Sequence, residues 1–250
     1  MGKVAVVTGG SRGLGKAAVL ALAKRGVDTI FTYHRNATAA HAVVAQVQAL
    51  GAKAQALHLD VSKPETLDDF VITLHTALRE WNVSTFDFLV NNAGIGSYST
   101  AADTSVELLD TMYAIHLKSV FLLVQKTLDT ITDGGRILNV STGLTRFVGP
   151  GHIAYACIKG AIEVYTRYLA QELGPRKITV NVIAPGATAT DFNGGAVRDN
   201  EVYNKAVSNA VALGRPGQAE EIGDAIACLL ADECRWINGE RVEVSGGQRL

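Results

Sequence analysis

VVTGGSRGLGKAA, Val6–Ala18, nearly satisfies two different phosphate-binding rules. Gly10-x-x-x-x-Gly15-Lys16 opens like the P-loop of a nucleotide triphosphatase, while Gly13-x-Gly15-x-x-Ala18 fits a dinucleotide-binding turn. A P-loop needs Ser or Thr after its lysine, because that hydroxyl holds Mg²⁺. Position 17 is alanine, and the apolar run that ends in Asn91-Asn92 supplies no acid in its place. The dinucleotide reading keeps its parts. Gly9 permits the tight turn, and Gly13 and Gly15, with Ser11 and Leu14 between and around them, let backbone approach a pyrophosphate. The helix N-terminus then offers N–H groups and the positive end of its dipole.

Outward from this turn, short β-branched runs alternate with segments of helical spacing. Strands are predicted at Val4–Val7, Thr29–Tyr33, Ala54–Leu59, Phe88–Val90, Arg136–Val140, Ile178–Ile183 and Arg241–Val244. Helices are predicted at Gly13–Lys24, ending at Gly26, and at Thr38–Leu50, stopped by Gly51. Ser62-Lys63-Pro64-Glu65 reads as a capping box opening a helix to about Trp81. Two long helices, about Ser105–Ile131 and Ile153–Leu173, and a late one at Glu220–Leu230 complete the pattern. Strands apolar on both faces and alternating with helices imply an α/β fold: a mostly parallel sheet between two helix layers. No linker, repeat or low-complexity tract divides the chain, so residues 1–250 read as a single doubly wound, Rossmann-type domain. Chemistry in such a sheet belongs at the carboxyl ends of the strands.

Composition removes several function classes. The chain is 48% hydrophobic and 19% charged, with a formal net charge of −1. That balance gives no reason to expect nucleic acid or an anionic membrane as partner. Cys157, Cys228 and Cys234 show neither metal-ligand nor disulfide spacing, so a reducing cytoplasm is expected. The chain starts on an apolar strand without a signal-peptide pattern, and no run is long enough to span a bilayer. His34, His41, His58, His75 and His152 have no metal-ligand spacing, and no metal is expected.

Five motifs stand in register along the chain: Thr8-Gly9-x-x-x-Gly13-x-Gly15, Asp60-Val61, Asn91-Asn92-Ala93-Gly94, Tyr155-x-x-x-Lys159 and Pro185-Gly186. In order and spacing they resemble the short-chain dehydrogenase/reductases, above all 3-oxoacyl-carrier-protein reductases and similar carbonyl reductases. The likeness spans the whole chain. It implies NAD(P)-dependent interconversion of a small-molecule carbonyl and a secondary alcohol, in a homotetramer or homodimer. It also implies that Asp60 and Val61 flank the adenine, that Asn92, Ala93 and Gly94 line the ribose side, and that Pro185, Gly186 and Thr188 approach the nicotinamide.

An NAD-type site carries an acid about 20 residues past the glycines. Aligned on the family, that position is Tyr33, followed by His34 and Arg35. Arg12 and Arg35 are suited to a 2′-phosphate, which favours NADPH/NADP⁺ and leaves NADH possible.

Tyr155 and Lys159 are four apart on a predicted helix and share a face. By resemblance, Tyr155 is the acid/base and Lys159 lowers its pKa and holds the ribose hydroxyls. The family's serine falls at Thr142, with Ser141 just before it; a register shift of one residue swaps their roles. The family's helix asparagine is His116. An imidazole titrating near neutrality serves there as a proton-relay member, or else as a plain helix hydrogen bond or a weakened site. Thr142 and His116 keep a second hypothesis open: a catalytically weak, NADPH-binding sensor of the same fold. The segment from about Asp191 to Gly214 is expected to cover the substrate.

Overall fold

Residues that are apolar on both faces of an extended strand are satisfied only by cover on both sides. The computed structural model, which describes residues 2–250, provides it. Seven parallel strands form one sheet: β1 (Val4–Val7), β2 (Asp28–Tyr33), β3 (Ala54–His58), β4 (Phe86–Asn91), β5 (Ile131–Val140), β6 (Thr179–Pro185) and, last in the chain, β9 (Arg241–Val244). Their order is β3-β2-β1-β4-β5-β6-β9. β7 (Thr188–Ala189) and β8 (Gly217–Gln218) make a separate small pair.

Side chains alternate strictly across β1. Ala5 and Val7 enter a core with Val19 of α1 (Gly13–Lys24), Val43 of α2 (Ala37–Ala49) and Ile226 of α9 (Ala219–Leu229). Val4 and Val6 enter the other, with Leu74 of α3 (Leu67–Glu80), Leu123 of α5 (Ser119–Thr127) and Leu169 of α6 (Ile153–Glu172). The sequence order of the strands reverses direction between β1 and β4, where a doubly wound sheet opens its crevice. The loops leaving β1, β2, β4, β5 and β6 line a single cleft of about 1540 Å³ there.

Two sequence expectations change. Ser62 does not cap a helix: its backbone N–H and hydroxyl both donate to Asp60 Oδ1, at 3.0 and 2.6 Å. That local bond outcompetes the cap, and α3 is entered through a 3₁₀ turn at Pro64–Thr66. A capping box forms instead between Gln218 and Glu221, at the start of α9. The long helix expected over about 105–131 is divided. α4 (Val106–Tyr113) is capped by Ser105, passes through a π-helical turn at Ala114–Lys118 into α5, and ends in a 3₁₀ turn before Ile131 enters β5. The cover over the cleft also carries structure of its own: α7 (Ala196–Asp199) and α8 (Glu201–Asn209).

Candidate active site

The glycine turn after β1 is held rigidly by side chains. Asn92 Nδ2 donates to the carbonyls of Thr8 and Gly9 at 2.8 and 3.3 Å. Thr8 Oγ1 accepts from the N–H groups of Asn92 and Ala93, both at 3.0 Å, and Thr32 Oγ1 accepts from Gly9 N–H at 3.0 Å. A Cβ on Gly15 would lie 2.2 Å from the Gly9 carbonyl oxygen, so no other residue fits there. No side chain caps α1 and no acid lies in its first turn. Its N–H groups therefore remain for a ligand beside Ser11, Gly13 and Leu14 on the cleft wall, and the cradle fits a dinucleotide pyrophosphate. Thr8 opens the glycine motif in the sequence, whereas nothing local marks Thr32, which lies inside the predicted strand Thr29–Tyr33, as part of the turn.

At the adenosine end, Asp60 spends Oδ1 on Ser62 and brings Oδ2 within 3.3 Å of His34 Nε2. Burial pushes its carboxyl up, but the Ser62 bonds and the nearby His34 and Lys63 outweigh this and hold it below the usual range. Arg12, His34 and Arg35 are exposed on the same rim, which Val61 also lines.

Deeper in the cleft, α6 brings Tyr155 and Lys159 to one buried face. Lys159 Nζ donates to the Val140 carbonyl at 2.7 Å and lies 5.8 Å from the centre of the Tyr155 ring. Burial pushes the ammonium down to about 7. Burial raises the Tyr155 phenol well above its ordinary value, and only the nearby Thr142 hydroxyl opposes the rise. Thr142, two residues past the end of β5, has its hydroxyl near Tyr155, and the same oxygen accepts from Leu144 N–H at 3.3 Å. Ser141 Oγ donates instead to Glu163 Oε1 at 2.7 Å.

His116 sits in the π-helical turn, 1% exposed. Its Nε2–H donates to the Ile95 carbonyl at 2.8 Å, while Nδ1 is buried without a partner. Gly94 makes room for the ring: a Cβ there would be 2.6 Å from His116 Cε1. The expected titration near neutrality is overturned. Burial and the Lys159 ammonium push His116 down to about 2, against the Ile95 bond.

Past β6, Pro185, Gly186 and Thr188 border the same cleft, with Thr188 Oγ1 donating to the Gly186 carbonyl at 3.0 Å. Gln248, near the chain's end, accepts from Ala187 N–H through Oε1 at 2.8 Å. No local pattern gives Gln248 a place in the site, because the contact joins side chain and backbone 61 residues apart. Several aromatic and apolar side chains line the same cleft, Tyr98, Leu144, Phe147, Phe192 and Tyr203 among them. Phe192 lies 6.2 Å from Tyr155, ring centre to ring centre, and His152 meets Tyr98 edge-on.

A protein-family model described as enoyl-(acyl carrier protein) reductase matches residues 9–249. The chain is a short-chain dehydrogenase/reductase. It is 34% identical over 257 residues to the tetrahydroxynaphthalene reductase PfmaG of Pestalotiopsis fici, covering 98% of this chain and 91% of that protein. Among solved structures it is similar to the promiscuous reductase LugOII, which catalyses keto-reduction at C1 in lugdunomycin biosynthesis. The TM-score is 0.95 at 38% identity, over 100% of this chain and 99% of that one. It also resembles the angucycline C-6 ketoreductase LanV with bound NADP, with a TM-score of 0.94 at 34% identity over 99% and 95% of the two chains. This short-chain dehydrogenase/reductase is thereby an oxidoreductase of the NAD(P)-dependent kind that acts on carbonyl and alcohol groups. Among the described residues no helix is long and apolar enough to cross a membrane.

Proposed function

We propose that the chain uses NADPH to reduce a ketone on a planar, largely aromatic small molecule to a secondary alcohol. The observation that carries this reading is the buried cluster of Thr142, Tyr155 and Lys159, whose phenol is held protonated by burial. A neutral phenol is the form that can give a proton to a carbonyl oxygen. NADPH, when bound, supplies the hydride. Tyr155 Oη–H protonates the nascent alkoxide, and the Thr142 hydroxyl hydrogen-bonds the same oxygen. Lys159 would hold the ribose hydroxyls of the bound cofactor and return a proton to Tyr155 afterwards. With NADP⁺ and an alcohol the steps reverse, and there Tyr155 must act as phenolate.

NADP(H) is supported by the relatives solved with it and by Arg12 and Arg35 on a rim where Tyr33 replaces the ribose-binding acid. The aromatic side chains that line the cleft, Phe192 beside Tyr155 among them, support a flat apolar substrate, as do the activities of PfmaG, LugOII and LanV. The binding-only alternative rests on Thr142 and His116. Against it, Thr142 keeps its hydroxyl on Tyr155.

We further read residues 1–250 as one cytoplasmic domain that assembles as a homotetramer or homodimer. The exposed aromatic and apolar side chains Tyr113, Phe121, Val164 and Tyr168 along α4, α5 and α6 support the assembly. Sedimentation velocity of the intact chain tests it. The activity is tested by NADPH oxidation against tetralones, hydroxynaphthalenones, aldehydes and 3-oxoacyl thioesters, with Tyr155→Phe in parallel. Turnover of a bicyclic ketone that disappears in the variant supports the reading. NADPH binding without turnover of any of these compounds removes it.

A further inference from the structure

Glu163 lies one helical turn beyond Lys159 on α6, outside the proton and hydride steps proposed above. Its Oε1 accepts three hydrogen bonds: from Ser141 Oγ at 2.7 Å, Thr145 Oγ1 at 2.6 Å and Arg241 Nε at 2.9 Å. The two charged side chains are mostly buried, Glu163 14% and Arg241 22% exposed. Arg241 arrives from β9 at the sheet edge, and its Nη2 donates to the main-chain carbonyl of Thr142 at 3.1 Å and to Thr145 Oγ1 at 3.1 Å. Thr142 is thus gripped through its carbonyl on one side while its hydroxyl meets Tyr155 on the other.

The grip continues into the tail. Arg241 Nη1 pairs with Glu243 at 3.0 Å, and Glu243 receives both Nε and Nη2 of Arg146 at 2.6 Å. Arg146 reaches on to the carbonyls of Gln248 and Arg249. Removing a carboxylate and a guanidinium from water costs several kcal/mol, and well-packed apolar side chains would fill such a volume at no loss of stability. A buried pair is therefore weak as a stabiliser. What this one offers is direction, since a planar guanidinium fixes its donors at set angles.

We propose that Glu163 and Arg241 form a positioning pair for the reaction, holding the end of β5 so that the Thr142 hydroxyl stays aimed at the substrate oxygen beside Tyr155. The role rests on the ketone-reductase reading. A hydroxyl misplaced by about 1 Å loses on the order of 10²-fold in rate, so a residue that never touches substrate controls turnover through Thr142.

Two variants separate this from general loosening. Arg241→Lys keeps the charge but not the fork that reaches the Thr142 carbonyl, and Glu163→Gln keeps the shape without the charge. Each is made in the wild-type chain and in Thr142→Val, and kcat, KM and the NADPH dissociation constant are measured. Amide hydrogen exchange over residues 142–147 is followed in the same samples. The expected result is a loss of about tenfold or more in kcat, NADPH affinity within about twofold, and no further loss in the Thr142→Val background. Exchange over 142–147 rises about tenfold, one factor of ten being about 1.4 kcal/mol of lost protection. Proportional losses in both backgrounds overturn the role, and so does a kcat unchanged by either variant. Unchanged exchange overturns the grip itself, whether or not the chain turns over a ketone. If the wild type reduces no ketone while exchange responds as expected, the reductase reading fails and the grip on Thr142 stands.

Discussion

The His116 imidazole stands edge-on to the Tyr155 ring, with centroids 5.2 Å apart and planes at 86°. The two rings share one buried recess of the cleft, and burial drives both to their neutral forms: the base downward and the phenol upward. The protein's own groups therefore set the pocket for proton donation to a carbonyl. His116 contributes a neutral ring whose Nδ1 is an acceptor.

His116 is accordingly expected to add no ionisation to the reductase between about pH 5 and 8. The pH profile of kcat/KM should keep its shape in His116→Asn; an acid limb near neutrality that disappears in the variant would contradict this. Stability should respond instead. A histidine held down to about 2 in the fold binds its proton only in the unfolded chain once pH falls below its ordinary value of 6.5. Stability is then lost as pH drops through that window, by up to about 1.4 kcal/mol per unit. Urea titrations between about pH 4 and 7 should show a shallower slope for His116→Asn.

The two adjacent hydroxyls should separate cleanly. Thr142→Val is expected to lower kcat by about 10²–10³-fold, the cost of one lost donor at a developing oxyanion, whereas Thr142→Ser recovers most of the rate. Ser141→Ala, which takes one donor from Glu163, should act mainly on stability, by about 1 kcal/mol. Steady-state kinetics and thermal melts on all three decide it. A Ser141→Ala loss in kcat as large as that of Thr142→Val would reverse the assignment.

Arg12→Ala and Arg35→Ala are each expected to weaken NADPH binding about tenfold, near 1.4 kcal/mol, and to leave NADH binding almost unchanged. Fluorescence titration with both cofactors at two salt concentrations checks this. The wild-type preference should shrink as salt rises, because both guanidiniums are exposed. Equal weakening for NADH would remove the 2′-phosphate from the account.

Lys159 should cost the fold stability. Its ordinary value of 10.5 falls to about 7 on burial, so between these values the unfolded chain holds a proton that the folded one has released. Stability therefore rises with pH through that window, and the full charging penalty persists below it. The shift sets a ceiling of about 5 kcal/mol, from which the lost bond to the Val140 carbonyl subtracts about 1–3 kcal/mol. Lys159→Met is expected to be inactive yet more stable than wild type by about 2 kcal/mol at neutral pH, with a flatter pH dependence. A destabilised variant would show that the Val140 bond outweighs desolvation.

Much of the fold was legible because its signals are local. Apolar residues on both faces of Val4–Val7 demanded cover on both sides, and the glycines at 26 and 51 marked two helix ends. No local signal marks the break in the helix at His116, since Ala114–Lys118 carries no proline or glycine; only the resemblance, in which the family's asparagine steadies a helix distortion there, pointed to it. Nor was the failed cap legible at Ser62, where a carboxylate two residues away took the hydroxyl.

The sequence by itself determined the glycine turn at Val6–Ala18, the alternating parallel fold, the Tyr155/Lys159 spacing and the missing acid at Tyr33. The turn and the fold follow from sterics and periodicity within a few residues, while the pair and the missing acid follow from the resemblance to the family. Only the tertiary structure brought Thr142 near Tyr155 and Ser141 to Glu163, buried His116, and tied Arg241 and Gln248 to the site from the far end of the chain. Those outcomes depend on desolvation and on contacts between residues 61 to 99 positions apart, which no local pattern encodes.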